Sequence, residues 1–138
     1  MKEVGILNAE ISYAISKLGH MDEMMVVDAG FPIPQGVNTV DLSLDVNVPT
    51  VLQVLDVLLK YFSVEKIVLA NQTKQTSPTK FKDIVEKFDK DIDTETIEHS
   101  DLKLRSKGVK VIIRTGDFTA FSNVLLVSAG GTRWYCEK

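Results

Sequence analysis

A three-layer α/β/α protein with a central, largely parallel or mixed sheet is the architecture predicted here, and two observations carry that expectation. Apolar residues recur at helical spacing in some segments and gather into short β-branched runs in others, and the two kinds alternate along the chain. The 138 residues are 44% hydrophobic and 25% charged, enough for one core, and they contain no repeat, low-complexity tract or interdomain linker. One domain over residues 1–138 is therefore expected.

The first helix is marked by Ile11, Ala14, Ile15 and Leu18, which fall on one face. Asn8 is its expected N-cap and Gly19 its left-handed stop. Met24 to Val27 reads as a buried strand ending at Asp28. Two prolines and two glycines between Ala29 and Gly36 forbid regular structure and predict a loop. Val40, Leu42 and Leu44 alternate with polar residues, a half-buried strand. Pro49 opens a largely buried helix through Val51 to Phe62, and Val64 to Ala70 is the next strand.

Ser77 and Pro78 form an N-cap and N1 pair for a helix to about Phe88, with Phe81, Ile84, Val85 and Phe88 as its apolar stripe. Thr94 to His99 reads as a strand, and Ser100 caps a short helix that Gly108 ends. Val109 to Arg114 and Asn123 to Ser128 complete the strands, with a polar loop between them.

Several function classes fall away on composition. A formal charge of −3 with no basic run gives no electrostatic reason to expect nucleic acid as a partner. No apolar run approaches the roughly 20 residues a bilayer crossing needs, and the N-terminus lacks a signal pattern. A single cysteine, Cys136, excludes an intrachain disulfide and fits a reducing cytosol. There is no P-loop, Gly-x-Gly-x-x-Gly or Gly-x-Ser-x-Gly motif, and the two histidines have no metal-ligand spacing. Neither a metal nor another cofactor is expected.

What remains is an imidazole at the exit of the first helix and a set of polar groups at predicted strand ends, where α/β sheets gather ligands. His20 carries an imidazole able to exchange protons near neutral pH, or it is a cation capping a helix C-terminus. Asp28 closes an apolar strand, either to accept hydrogen bonds from a ligand or to cap its own turn. His99 and Lys103, four residues apart, form a donor pair or a plain surface. Arg114 to Asp117, followed by Phe121, Ser122 and Asn123, is a polar ligand loop or a simple turn, with Asn123 offering both donors and an acceptor.

The chain resembles the ribose and fucose mutarotase family over nearly its whole length. The resemblance rests on Ile15-Ser16-Lys17-Leu18-Gly19-His20-Met21-Asp22 and on Val27-Asp28-Ala29-Gly30-Phe31-Pro32-Ile33-Pro34. His99 with Lys103, Ile113-Arg114-Thr115-Gly116 and Asn123-Val124-Leu125-Leu126 extend it. It is closer to the ribose branch than to the fucose branch. The resemblance implies a cofactor-free isomerase that interconverts pyranose and furanose forms of D-ribose by acid–base ring opening.

It further implies His20 as proton donor and Asp28, His99, Lys103, Phe121, Ser122 and Asn123 as substrate-binding residues. Rings or decamers are implied too, with sites where neighbouring subunits meet. A mutarotase for fucose or another sugar, a non-catalytic sugar-binding component of ribose uptake, and a phosphocarrier using His20 are the competing readings. The chain departs from the family at Phe121-Ser122 (usually Tyr-Ala), at Asn71-Gln72 (often acidic) and in its longer tail, Gly131 to Lys138.

Overall fold

The computed structural model describes residues 1–138. Its strands are β1 (Glu23–Val27), β2 (Thr39–Asp41), β3 (Ser63–Ala70), β4 (Asp93–Ile97), β5 (Val111–Arg114) and β6 (Val124–Ala129). They form one sheet in the order β2-β5-β1-β6-β3-β4. β1, β2 and β5 pair in parallel, as do β3 and β4, while β6 runs against both its neighbours. The sheet is thus mixed, and the expected α/β class holds. Because only β6 is reversed, the carboxyl ends of the other strands share one edge with the start of β6.

Side-chain alternation divides the core into two layers, as the pleat requires. Met24, Val26, Ile67, Leu69, Val111, Ile113, Val124 and Leu126 face one cluster with α1 (Ala9–Ser16), α2 (Val51–Leu58) and Ile84 of α4 (Pro78–Val85). Met25, Val27, Val68, Ile112, Leu125 and Val127 face the other with Leu102 of α5 (His99–Arg105). Each fully buried aliphatic side chain contributes about 1.5–3 kcal/mol relative to exposure.

Local signals are met with specific exceptions. Asn8 Oδ1 accepts the Ile11 N–H at 2.9 Å, so the expected N-cap forms. Gly19 is not the left-handed residue of its turn; Met21 is, at φ 73°. The Asp22 carboxylate accepts the Gly19 N–H at 2.7 Å, and Met21 N–H is held by Ser128 O at 2.8 Å. That bracing replaces the glycine stop.

Helix α2 starts at a Thr50–Gln53 capping box rather than at Pro49, whose peptide bond with Val48 is cis. The Val40–Leu44 strand shortens to Thr39–Asp41, and Leu44 is exposed. A short helix, α3 (Asn71–Thr76), occupies the segment before Ser77. Ser77 does not cap α4, because its hydroxyl donates to Ala120 O at 2.9 Å. Nor does Ser100 cap α5, which begins at His99 behind Glu98, two residues earlier than a Ser100 cap would place it. No helix is long and apolar enough to cross a membrane.

Candidate active site

At the shared carboxyl edge lies a cavity of about 520 Å³, lined by Asp28, Phe31, His99, Arg114, Phe121 and Asn123 among others. Every one of these residues sits just at or beyond the end of a strand. Strand termination is what frees their polar groups from the ladder.

Asp28 is held by its neighbours from both directions. Its backbone N–H donates to Asn123 Oδ1 at 2.8 Å, and its Oδ1 accepts the Gly30 N–H at 3.0 Å. Burial raises its carboxyl above the ordinary 3.8, against the opposing pull of the Gly30 N–H and the Asn123 amide. Arg114 clamps the next residue, Nε and Nη2 donating to Ala29 O at 3.0 and 2.7 Å, while Nη1 reaches Asp41 Oδ2 at 3.0 Å. The loop carrying Asp28 is thereby fixed to β5 and β2.

His99 stands at the start of α5, its backbone N–H donated to Gln72 Oε1 at 2.9 Å. The imidazole lies edge-on between Phe31 (centroids 6.0 Å apart) and Phe121 (5.0 Å). Nδ1 is buried without a protein partner. Burial lowers its pKa below 6.5, the Lys103 charge adds to this, and Asp28 opposes it. The ring is therefore neutral at neutral pH, with hydrogen-bonding capacity left unused.

The loop from Thr115 to Asn123 is pinned at several points. Thr115 Oγ1 donates to Val27 O at 2.8 Å. Gly116 passes so close to the 45–48 turn that a Cβ there would lie 2.3 Å from Asp45 O and 2.7 Å from Val48 O. No side chain fits, which accounts for glycine. Asp117 is buried, accepting from Val51 N at 3.0 Å, Lys80 Nζ at 2.9 Å and Thr119 N at 2.9 Å. Burial alone would raise its pKa, yet these donors together hold it below 3.8. Phe121 adopts φ 60°, and its carbonyl accepts from Thr73 Oγ1 at 2.6 Å. That backbone turn brings the Phe121 ring against His99. Ser122 is fully buried with its hydroxyl unpartnered, beneath the cavity rather than lining it.

The structure therefore brings Asp28, His99, Phe121 and Asn123 together, with Ser122 behind them. Lys103 is exposed on α5 and does not line the cavity, although its charge is felt at His99. His20 lies at the opposite edge of the sheet, before β1 rather than after it. Its side chain is 67% exposed, and Nε2 is 3.4 Å from Glu65 Oε2. Around it runs a groove shared with Tyr61, Ser63, Trp134 and Tyr135. The five residues of β1, about 3.3 Å each, separate the two regions within one chain.

Arg114 and Gln72 are the positioning residues that reading by motif did not assign roles. Gln72 also donates to Glu98 Oε2 at 2.7 Å, and Asn71 to Glu98 Oε1 at 2.7 Å. The amides at 71 and 72 thus tie α3 to the residue that precedes His99.

Comparison with known proteins decides the family. Residues 1–130 match the model of the RbsD / FucU transport protein family. The chain belongs to that family. A D-ribose pyranase of Thermotoga neapolitana is 45% identical over 130 residues, covering 92% of this chain and 96% of the relative. A D-ribose pyranase of Streptococcus uberis is 41% identical, covering 93% and 97%. Among solved structures, Bacillus subtilis RbsD complexed with D-ribose superposes with a TM-score of 0.90 at 34% identity, covering 95% of this chain and 99% of that one. Family membership extends through the end of β6, and residues 131–138 lie beyond the matched segment.

Proposed function

We propose that this chain is a D-ribose pyranase, a cofactor-free intramolecular isomerase interconverting the pyranose and furanose forms of ribose. The observation that carries the reading is the convergence of Asp28, neutral His99 and Asn123 on one cavity, in a chain whose relatives bear that name.

Ring exchange requires opening a cyclic hemiacetal, rotating the chain and reclosing through another hydroxyl. One proton leaves the anomeric hydroxyl and one arrives on the ring oxygen, and no redox step occurs. Asp28, its basicity raised by burial, takes the hydroxyl proton. The His99 imidazole and the Asn123 amide hold neighbouring hydroxyls, and the Phe31 and Phe121 rings wall the apolar face of the sugar. Ser122 and Lys103 act from behind, the first through the backbone beside Asp28, the second through its charge on His99. His20 supplies the proton for the ring oxygen, a contribution of roughly 10²–10⁴-fold in rate.

Because His20 lies at the far edge of the sheet, it reaches a sugar only in the cavity of a neighbouring copy. Two apolar surfaces support such an assembly. Val46, Val48 and Phe118 are exposed beside the cavity, and Met21, Tyr61, Trp134 and Tyr135 are exposed around His20. Two different patches at opposite edges suit a head-to-tail contact, the kind that builds a ring when its rotation closes. A homo-oligomer, a decamer of stacked rings in this reading, therefore carries sites at its subunit interfaces. We place the protein in the cytoplasm, where the exposed Cys136 stays a free thiol.

Saturation-transfer NMR on ribose tests the activity. Wild-type protein is expected to accelerate pyranose–furanose exchange, and His20→Ala to lose most of the gain. Ribose binding by calorimetry with no acceleration would instead make the chain a sugar-binding component. Fucose and allose, run alongside, fix the preferred sugar.

A further inference from the structure

Glu65 occupies an irregularity in β3 that the proposed chemistry has not yet used. Val64 pairs with Ser128 and Lys66 with Val127, so Glu65 is an extra residue in the ladder, a β-bulge. The bulge changes which face each side chain takes. Val64 packs in the same core cluster as Ile67 and Leu69 although it is three residues from Ile67, a spacing that period-two alternation forbids. In an unbroken strand Glu65 would share the face of Ile67 and Leu69 and enter the core. The bulge expels it and sets Oε2 3.4 Å from His20 Nε2. The next residue, Lys66, turns away to Glu95.

An ion pair this exposed contributes little to stability, so stability does not explain the arrangement. Bulges commonly re-aim side chains beside active sites. Glu65 is the one carboxylate within 4 Å of the His20 ring nitrogens. The Asp22 carboxylate is turned back to the Gly19 N–H. The tail and the β3 approach present Arg133, Tyr61, Tyr135 and Cys136 to the groove.

We propose that Glu65 is the positioning residue of His20: it accepts Nε2–H, fixes the tautomer and ring orientation, and so aims Nδ1 for proton donation. This deepens the isomerase reading and rests on it. In the ring-opening step the Nδ1–H bond breaks and an O–H bond forms on the ring oxygen. The imidazole is left neutral, its remaining hydrogen on Nε2 and still donated to Glu65. Reclosure through another hydroxyl returns a proton to Nδ1.

The chain has two histidines, so imidazole NMR resolves His20 from His99. Glu65→Gln keeps the side-chain shape and removes the charge. It is expected to move the ring-nitrogen shifts of His20, as its tautomer and orientation are released, and to leave those of His99 unmoved. It should also slow ribose exchange several-fold in wild type and add nothing in a His20→Ala background, because the effect runs through His20. Glu65→Asp, which retains the charge, should recover part of both effects. Unmoved His20 ring-nitrogen shifts in Glu65→Gln overturn the inference, and so does a rate loss that persists without His20. The NMR reading needs no turnover. Failure of wild-type protein to accelerate exchange therefore defeats the isomerase reading and is distinguishable from failure of the Glu65–His20 coupling.

Discussion

The backbone N–H of Asp28 donates to Asn123 Oδ1 at 2.8 Å, joining the end of β1 to the residue that opens β6. Since the amide oxygen is committed to the backbone, its NH₂ group is the part left to face the Asp28 carboxylate and a sugar. One side chain thus braces the loop after β1 and lines the cavity.

Asn123→Ala should cost about 1–3 kcal/mol, the penalty for leaving a poorly solvated N–H without its acceptor, and should raise KM for ribose. Asn123→Asp keeps an acceptor but adds a like charge beside Asp28, which raises the Asp28 pKa further. Urea denaturation and exchange kinetics separate the two effects. Equal stability of wild type and Asn123→Ala would contradict the assigned hydrogen bond.

His99 has a pH dependence whose sign follows from its lowered pKa. Above 6.5 the imidazole is neutral in both folded and unfolded chains, and its contribution to stability is complete. As pH falls below 6.5 the unfolded chain takes the proton first, and stability is lost until the folded value is passed. Lys103→Met removes the neighbouring cation and should move the His99 titration upward, towards 6.5, in an NMR titration. An unchanged His99 titration would show that Lys103 exerts no charge effect there.

Lys80 and Asp117 form the buried ion pair that pins the cavity loop to α4, their side chains 14% and 0% exposed. Lys80→Met leaves the carboxylate buried with its cation gone and should destabilise the fold by about 3–5 kcal/mol. Adding Asp117→Asn should recover much of that loss, since no uncompensated charge then remains. Chemical denaturation of the single and double variants checks this, and additive losses would contradict the pairing.

Much of this was legible in the sequence, for reasons that differ from residue to residue. The runs at Met24–Val27 and Val64–Ala70 have the β-branched and apolar character of strands buried on both faces, and both are strands. Asp28 and Asn123 were readable because they directly flank such runs. Boundaries set by tertiary contacts were not. Ser77 has the local chemistry of a cap, but its hydroxyl is drawn to Ala120 O in a loop more than 40 residues away. Gly19 offers a left-handed stop, yet the Asp22 carboxylate closes the turn first.

Local patterning is silent about partners distant in the chain, and the site depends on several. Arg114 clamps Ala29 and Gln72 holds the His99 backbone, contacts that no spacing rule announces. The separation of His20 from Asp28 was hidden for a related reason. Eight positions apart in sequence, they seem close until β1 is seen to run straight from one edge of the sheet to the other.

That separation makes subunit complementation the most direct test of the account. His20→Ala and Asp28→Asn proteins are each expected to be nearly inactive in ribose exchange. When equal amounts are mixed under conditions that allow subunits to redistribute, about a quarter of the interfaces pair an intact His20 with an intact Asp28 cavity. Exchange should recover to about that fraction of the wild-type rate. Mixed assemblies, confirmed by native mass spectrometry, that stay as inactive as their parents would contradict a site shared between copies.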